Sequence, residues 1–428
     1  MNVYFSGIGG VGIGPLAKIA FDAGYTVAGS DAVESPVSKE LKAAGLAVNI
    51  GQDGTFMAQF HQNTPIDWFV YTSALPASHP EILLAKKLGL KTTKRDEFLA
   101  ALIKEKSLKL VAVAGTHGKT TTTGMLVWTL KELGVPVSYS VGSTLSFAPA
   151  GAYDPQSNYF IYECDEYDRN FLEFKPDVAV ITSFDYDHPD TFPTQESYSE
   201  AFKQFLSQAE HVILWQKDAS AMGEESAPNR WLLSDDEAVE IALPGAHNRR
   251  NATLVLKVVE YLGLGSDAKS KQALALFPGT GRRFEKLADN LFTDYGHHPV
   301  EIAATLELAR ELSEHVVLVY QPHQNQRQHQ IKDLYRDQFE LAEKVYWVPT
   351  YLTREDPNQV TLTPQDLTTN LTNKDSVEFA ELNDSLWDSI QRERAAGRLV
   401  ICMGAGTIDS WVRDQLADSG PSTLYSSK

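Results

Sequence analysis

The chain has 428 residues, which at about 150 residues per domain corresponds to roughly three domains with a core each and excludes a lone small binding module. Its 38 Lys and Arg stand against 56 Asp and Glu, a net charge of −18, the wrong sign for gripping nucleic acid or an anionic membrane, so neither is expected as a partner. Apolar residues at 43% and charged residues at 22% are ordinary globular usage and exclude a disordered chain.

Short β-branched or aromatic runs alternate with helical patterns from the start. Residues 3–6 read as a strand, 14–23 as a helix, 25–28 and 68–71 as further strands, a βαβ pattern with a parallel sheet. Around 103–107 the text turns Lys- and Glu-rich, and 108–113 opens a new strand leading through a loop to a helix over 120–133. Strands at 159–163, 178–182 and 212–215, with a helix at 198–209, repeat the alternation. After a helix over 248–262, the turn-rich stretch around 277–284 precedes strands at 316–320, 344–348 and 399–403. The pattern predicts an α/β chain with units at 1–106, 107–283 and 284–428, and a Ser-rich tail from Ser419 that frays. Nothing after Met1 resembles a basic region followed by an apolar leader, and no apolar run reaches the ~18 residues of a membrane span. Cys164 and Cys402 cannot build a disulfide framework, so a reducing compartment, the cytoplasm, is expected.

Two loops carry phosphate chemistry. Gly7-Ile-Gly9-Gly10-Val-Gly12 stands between a predicted strand and helix, with Asp31 ending the next strand. Glycines let the backbone approach a diphosphate whose charge then sits on the helix N-terminus, while the acid accepts from a ribose hydroxyl. A dinucleotide and any other ribose diphosphate meet the same amides, and both readings stay open. Gly115-Thr116-His117-Gly118-Lys119-Thr120-Thr121 also lies between strand and helix. Its amides suit phosphate oxygens, the Lys119 ammonium suits terminal phosphates and the Thr120 hydroxyl suits Mg²⁺, which implies a nucleoside triphosphate. The strict spacing of such loops fails, because Val113 stands five residues before Gly118.

The ordered set Phe5-Ser-Gly-Ile-Gly-Gly-Val-Gly12, Gly29-Ser-Asp31, Ala114-Gly-Thr-His-Gly-Lys-Thr-Thr-Thr-Thr123, Glu163-Cys-Asp-Glu-Tyr-Asp168, Asp187-His-Pro-Asp190, Gly245-Ala-His-Asn-Arg-Arg-Asn251, Arg282-Arg-Phe-Glu285, Asp294-Tyr-Gly-His-His-Pro299, Gln321-Pro-His323 and Gly404-Ala-Gly-Thr-Ile408 spans the chain. With it the chain resembles the Mur ligases, the ATP-dependent amide-forming enzymes that build the peptide stem of peptidoglycan. The resemblance implies an N-terminal Rossmann-like UDP-binding domain, a central P-loop ATPase and a C-terminal Rossmann-like domain. It makes the ligand of the first loop a UDP-sugar rather than NAD. Tyr295-Gly-His-His-Pro299 points to the branch that adds L-alanine to the lactyl carboxylate of UDP-N-acetylmuramate through an acyl phosphate. A monomer or weak homodimer is expected.

By the same resemblance, Gly7, Gly9, Gly10, Gly12, Asp31 and Ser73 would hold the UDP-sugar, and residues 115–121 the ATP phosphates. Thr120 and Glu163 would hold one Mg²⁺ and His188 a second. Lys203 follows His188 by 15 residues, the spacing of a carbamylated lysine ligand in some members; a solvated helix lysine is the other reading. His247, Asn248 and Asn251 match positions around adenine, although Asn248 also suits a helix cap. Arg283 and Asp294 match positions that reach ATP from the third domain. His298, His323 and Arg327 match positions near the incoming amino acid and the acyl group, where a cation can pair a carboxylate. A metal pair at His297 and His298 competes, but adjacent residues of an extended segment point apart.

Three features depart from the family pattern. Gln324 stands where the alanine-adding branch carries arginine, 349–355 lacks a usual glycine-containing stretch, and Ser183 replaces a common asparagine. The first two fall on the amino-acid side, which leaves L-serine, glycine or a recycled tripeptide as alternatives to L-alanine. An NAD-dependent oxidoreductase would leave Lys119, Glu163 and the Arg282-Arg283 pair unexplained. A regulatory ATP-binding protein would bind without ligating.

Overall fold

The computed structural model describes the whole chain except Ser73, Pro189, Asp190, Arg354 and 419–428, so the Ser73 and frayed-tail expectations lie outside the described residues. Among the described residues, eighteen strands form three sheets. The first holds β1 (Asn2–Ser6), β2 (Thr26–Asp31), β3 (Ala47–Ile50), β4 (Trp68–Tyr71) and β5 (Lys91–Lys94), all parallel in the order β3-β2-β1-β4-β5. The second holds β6 (Lys109–Ala114), β7 (Ser138–Ser140), β8 (Gly151–Ala152), β9 (Tyr159–Glu163), β10 (Val178–Ile181), β11 (His211–Trp215) and β12 (Arg230–Leu233). Their order is β12-β11-β10-β6-β9-β7-β8, antiparallel only between β7 and β8. The third holds β13 (Glu285–Ala288), β14 (Leu291–Asp294), β15 (Val316–Tyr320), β16 (Lys344–Trp347), β17 (Val377–Phe379) and β18 (Leu399–Met403), in the order β13-β14-β18-β15-β16-β17, with an antiparallel β13–β14 hairpin at one edge.

In the first two sheets the strand preceding a phosphate loop is the point where strand order reverses: β1 between β2 and β4, β6 between β9 and β10. Parallel α/β sheets open their ligand crevice at such a point, outside the carboxyl ends of the strands.

The described residues divide into two compact units, Met1–Ile241 with Arg250–Pro278, and Ala242–Arg249 with the chain from Gly279 on. In the first unit one apolar core runs through both sheets, from Val3 and Phe5 through Leu110 and Ala112 to Val212 and Leu214, and a second, with Tyr4, Met57 and Phe69, covers the other face of the first sheet. The Tyr162 hydroxyl on β9 donates to Asp96, beside the first sheet, at 2.7 Å. In the second unit alternate residues of β15 face two cores, Val316, Leu318 and Tyr320 one way and Val317 and Val319 the other, the period-two signature of a sheet covered on both faces.

The predicted strands and helices are all present with ends shifted by up to three residues, as the helices Gly14–Asp22, Lys119–Glu132, Gln195–Ser207 and Ala246–Leu262 show. The edge strands β3, β5, β8, β12, β13 and β17 and the inner strands β7 and β14 lie outside the predicted set. Lys91-Thr-Thr-Lys94 explains why: no position of it is fully buried, so it carries no apolar alternation. No helix among the described residues is long and apolar enough to cross a membrane.

Candidate active site

At the end of β1, Gly7 turns with φ 84°, and the Gly7 and Ile8 amides both donate to the Ser30 carbonyl at 2.9 and 3.0 Å. The Gly9 amide donates to Asp31 Oδ2 at 2.8 Å, so Asp31 here fastens the loop. The Ser35 hydroxyl closes the far side by donating to the Gly9 carbonyl at 2.9 Å. A Cβ on Gly12 would overlap Arg95 Nη1. That guanidinium, paired with Asp96 at 3.1 Å, puts a cation beside the glycine loop, where a diphosphate gains most from one.

The lysine loop follows β6. Gly115 has φ 129° and a Cβ there would collide with Thr182 Oγ1 at 2.5 Å; Gly118, φ 84°, abuts Asn251. The Ser183 hydroxyl accepts from the His117 amide at 2.8 Å, and the Ser183 carbonyl from the Thr116 amide at 3.1 Å, so the substituted position still fastens the loop. Thr116 Oγ1 lies 2.8 Å from the Tyr198 hydroxyl, His117 pairs with Asp185 at 3.5 Å, and Thr121 is half-buried on the first helical turn. Lys119 Nζ donates to the Gly115 carbonyl at 2.6 Å and to the buried Glu166 at 2.7 Å. Burial opposes its charge, but Glu166, Asp165 and Glu163 outweigh burial and hold the ammonium above its ordinary pKa. Burial in turn pushes Glu166 up, against the pull of Lys119.

Thr120 Oγ1 donates to Glu163 Oε1 at 2.7 Å, which joins the two residues expected at one metal. His188, expected at a second, is grouped with Asp165 and Glu166, a ligand atom from each lying within 4.8 Å of the others. His188 holds a left-handed φ of 55°, the kind of backbone strain that collects at functional sites. Lys203 is exposed on the helix Gln195–Ser207 and its ammonium lies beside Gly223; among the described residues it forms no ion pair.

The second unit gathers its polar residues at the carboxyl ends of β14, β18 and β15. Asp294 accepts from the Phe284 and Gly296 amides, both at 2.7 Å, and burial raises its pKa despite nearby Arg283. The Arg282 and Arg283 guanidinium groups lie 4.5 and 5.1 Å from the Tyr295 ring centroid. The neighbouring histidines separate: buried His298 caps the helix Pro299–Leu312, and the His297 ring meets His323 at 5.8 Å. Arg327 stands on the helix Asn325–Ile331.

The two departures expected on the amino-acid side prove to be one structure. The Gln324 amide donates to the Tyr351 carbonyl at 2.9 Å, the Tyr351 amide to the Pro322 carbonyl at 2.8 Å, and the Tyr351 ring stacks on His323. Glu355 accepts from the Thr353, Asn325 and Gln326 amides at 3.0, 3.0 and 3.2 Å.

The expected adenine set is divided between units: His247 and Asn248 fall in the second, Asn251 in the first. Desolvation, with Arg249 and Arg283 near, pushes His247 down to about 4, so it is neutral near pH 7. The Asn248 amide group donates to the Pro244 carbonyl at 2.9 Å. The sequence reading missed Arg95, Glu166, Asp165 and Tyr198. Only the acid-rich 163–168 stretch hinted at two of them, and which acid meets Lys119 is fixed by chain 47 residues away.

A lysine loop with a hydroxyl–carboxylate pair, on a sheet sharing its core with a second glycine-loop sheet, defines an α/β protein built for nucleoside phosphates. Family models match along the chain: Mur ligase family, catalytic domain, over residues 2–107, Mur ligase middle domain over 113–234, and Mur ligase, glutamate ligase domain, over 282–406. The chain is 33% identical to a UDP-N-acetylmuramate–L-alanine ligase of Renibacterium salmoninarum over 83% of each chain. It is 31% identical to that of Paenarthrobacter aurescens, covering 96% of this chain and 95% of the other. Its fold is similar to that of a solved UDP-N-acetylmuramate-alanine ligase from Thermotoga maritima, with TM-score 0.75 at 23% identity over 98% of this chain and 99% of that one. The chain belongs to the Mur ligase family, and is an enzyme of the ligase class.

Proposed function

We propose that this enzyme joins L-alanine to the lactyl carboxylate of UDP-N-acetylmuramate at the expense of ATP, releasing ADP and phosphate, in the cytoplasm, where its two buried free thiols stay reduced. The observation that carries this reading is Lys119 held over the loop carbonyls beside the Thr120–Glu163 pair. The names of the similar ligases support the choice of substrates. Three domains, 1–106, 107–283 and 284–428, are the organisation we infer, supported by three sheets and three family matches.

A carboxylate does not acylate an amine directly, because oxide is not a leaving group. Transfer of the γ-phosphoryl group to the carboxylate makes an acyl phosphate; the amine attacks its carbonyl and phosphate departs. In this reading Lys119 offsets the repulsion between the two anions, and Arg95 with the loop of Gly7, Gly9, Gly10 and Gly12 holds the UDP diphosphate. The all-oxygen pair Thr120 and Glu163 suits Mg²⁺, which would neutralise phosphate charge there. His188 with Asp165 and Glu166 suits a second divalent ion. His323 and Arg327 pair the carboxylate of the amino acid, and His298, Arg283 and Asp294 serve the acyl group and ATP.

Phosphate release measured with UDP-N-acetylmuramate, ATP and either L-alanine, L-serine, glycine or the stem tripeptide tests the proposal. Turnover dependent on L-alanine is expected; turnover with the tripeptide alone would make the chain a recycling ligase.

A further inference from the structure

Beneath the glycine loop lies a carboxylate that the ligation chemistry does not use. Glu81, in the first turn of the helix Pro80–Lys87, is 0% exposed. It accepts from the Tyr4 hydroxyl at 2.8 Å, from Ser6 Oγ at 2.5 Å and from Ser30 Oγ at 2.7 Å. Among the described residues no cation pairs with it. Burial and Glu81 itself raise the Tyr4 pKa, so that hydroxyl remains a donor. Gln52 reaches both serine hydroxyls from the other side, at 3.2 and 3.4 Å.

A buried carboxylate without a counter-ion is costly unless every partner is in place, and these partners sit at the roots of the loop. Ser6 immediately precedes Gly7. The Ser30 carbonyl takes the Gly7 and Ile8 amides. Asp31, the next residue, takes the Gly9 amide. One carboxylate therefore ties together the ends of β1 and β2, from which both the loop and its fastening acid project.

We infer that Glu81 is a positioning residue for the glycine loop, fixing the two strand ends so that the loop keeps the shape that receives the diphosphate of the UDP-sugar. The inference rests on the proposed reading of that loop. Neutralising Glu81 relaxes the serine hydroxyls and blurs the loop, while the lysine loop, fastened by Thr182, Ser183 and Glu166, keeps its shape.

Calorimetric titration of the full chain with UDP-N-acetylmuramate and, separately, with ATP tests this on the unaltered enzyme, on Glu81→Gln and on Ser30→Ala, which keeps the charge and removes one anchor. Glu81→Gln is expected to weaken UDP-sugar binding about tenfold and leave ATP binding within about twofold, as supporting shells behave elsewhere. The KM for the sugar should rise with little change in kcat, and Ser30→Ala should lose affinity in the same direction by less. Unchanged UDP-sugar affinity in both variants, or equal loss for both ligands, overturns the positioning role even if melting temperature falls. If Glu81→Gln does not fold, Ser30→Ala decides. Should the unaltered enzyme bind ATP but no UDP-sugar, the reading of the loop itself falls, and the inference with it.

Discussion

Lys119 and Glu166 are bound to one another's fate. Replacing Lys119 by alanine removes the cation of the phosphate site and strands a fully buried carboxylate, which costs about 3 kcal/mol or more. The expected result is loss of ligation together with a lower unfolding midpoint, and retained binding of UDP-N-acetylmuramate. The double variant Lys119→Ala/Glu166→Gln should recover most of the stability and none of the activity, as urea unfolding and phosphate release would report; a double variant no more stable than the single would show that the pair carries no such strain. Asp218, buried and accepting from the Phe184 amide at 3.2 Å, is raised by burial to about 6. Between its ordinary value near 4 and that value the folded chain keeps a proton the unfolded chain has released, so this contribution is full below about pH 4 and lost as pH rises through 6. Asp218→Asn still accepts the Phe184 amide and should be more stable than the parent at pH 8 by about 1–2 kcal/mol, with the gap closing toward pH 4.5. An equal gap at both pH values would contradict the assignment.

Local pattern and long-range pairing divide what the elements disclose in advance. Apolar runs such as 108–113 and 316–320 announce strands because both faces are buried, and the glycines of both loops announce phosphate-sized turns. Lys91–Lys94 announces nothing, since an edge strand of lysines and threonines owes its conformation to hydrogen bonds with β4. Site chemistry follows the same rule: Lys119 and Thr120 are legible within one loop, but Arg95 beside Gly12 and Glu81 beneath Ser6 are 83 and 75 residues away in the sequence. The welded Gln324–Tyr351 segment could be read only as two unrelated departures. Its anchor predicts a consequence for the short helix Asn325–Ile331: Glu355→Gln weakens three charge-assisted bonds from backbone amides, about 1–2 kcal/mol in all. That loss should raise the KM for L-alanine severalfold and leave those for ATP and UDP-N-acetylmuramate unchanged in steady-state assays. A rise shared by all three substrates would remove the helix from the amino-acid site.

Across the whole molecule, the two units have separate cores. Both phosphate loops belong to the first unit, where one core spans two sheets. Differential scanning calorimetry should resolve two transitions, and UDP-N-acetylmuramate at 100 times its Kd should stabilise the unit that binds it by about 2.7 kcal/mol while the other transition stays in place. One merged transition that moves as a whole with the sugar would contradict independent cores. The acyl phosphate is the claim on which the remaining chemistry depends, and it has a direct isotopic signature. UDP-N-acetylmuramate carrying ¹⁸O in its lactyl carboxylate, incubated with enzyme, ATP and L-alanine, should deliver one ¹⁸O to each phosphate released, as mass spectrometry of the phosphate would read. Phosphate free of the label while amide product accumulates would contradict activation of the carboxylate by phosphoryl transfer.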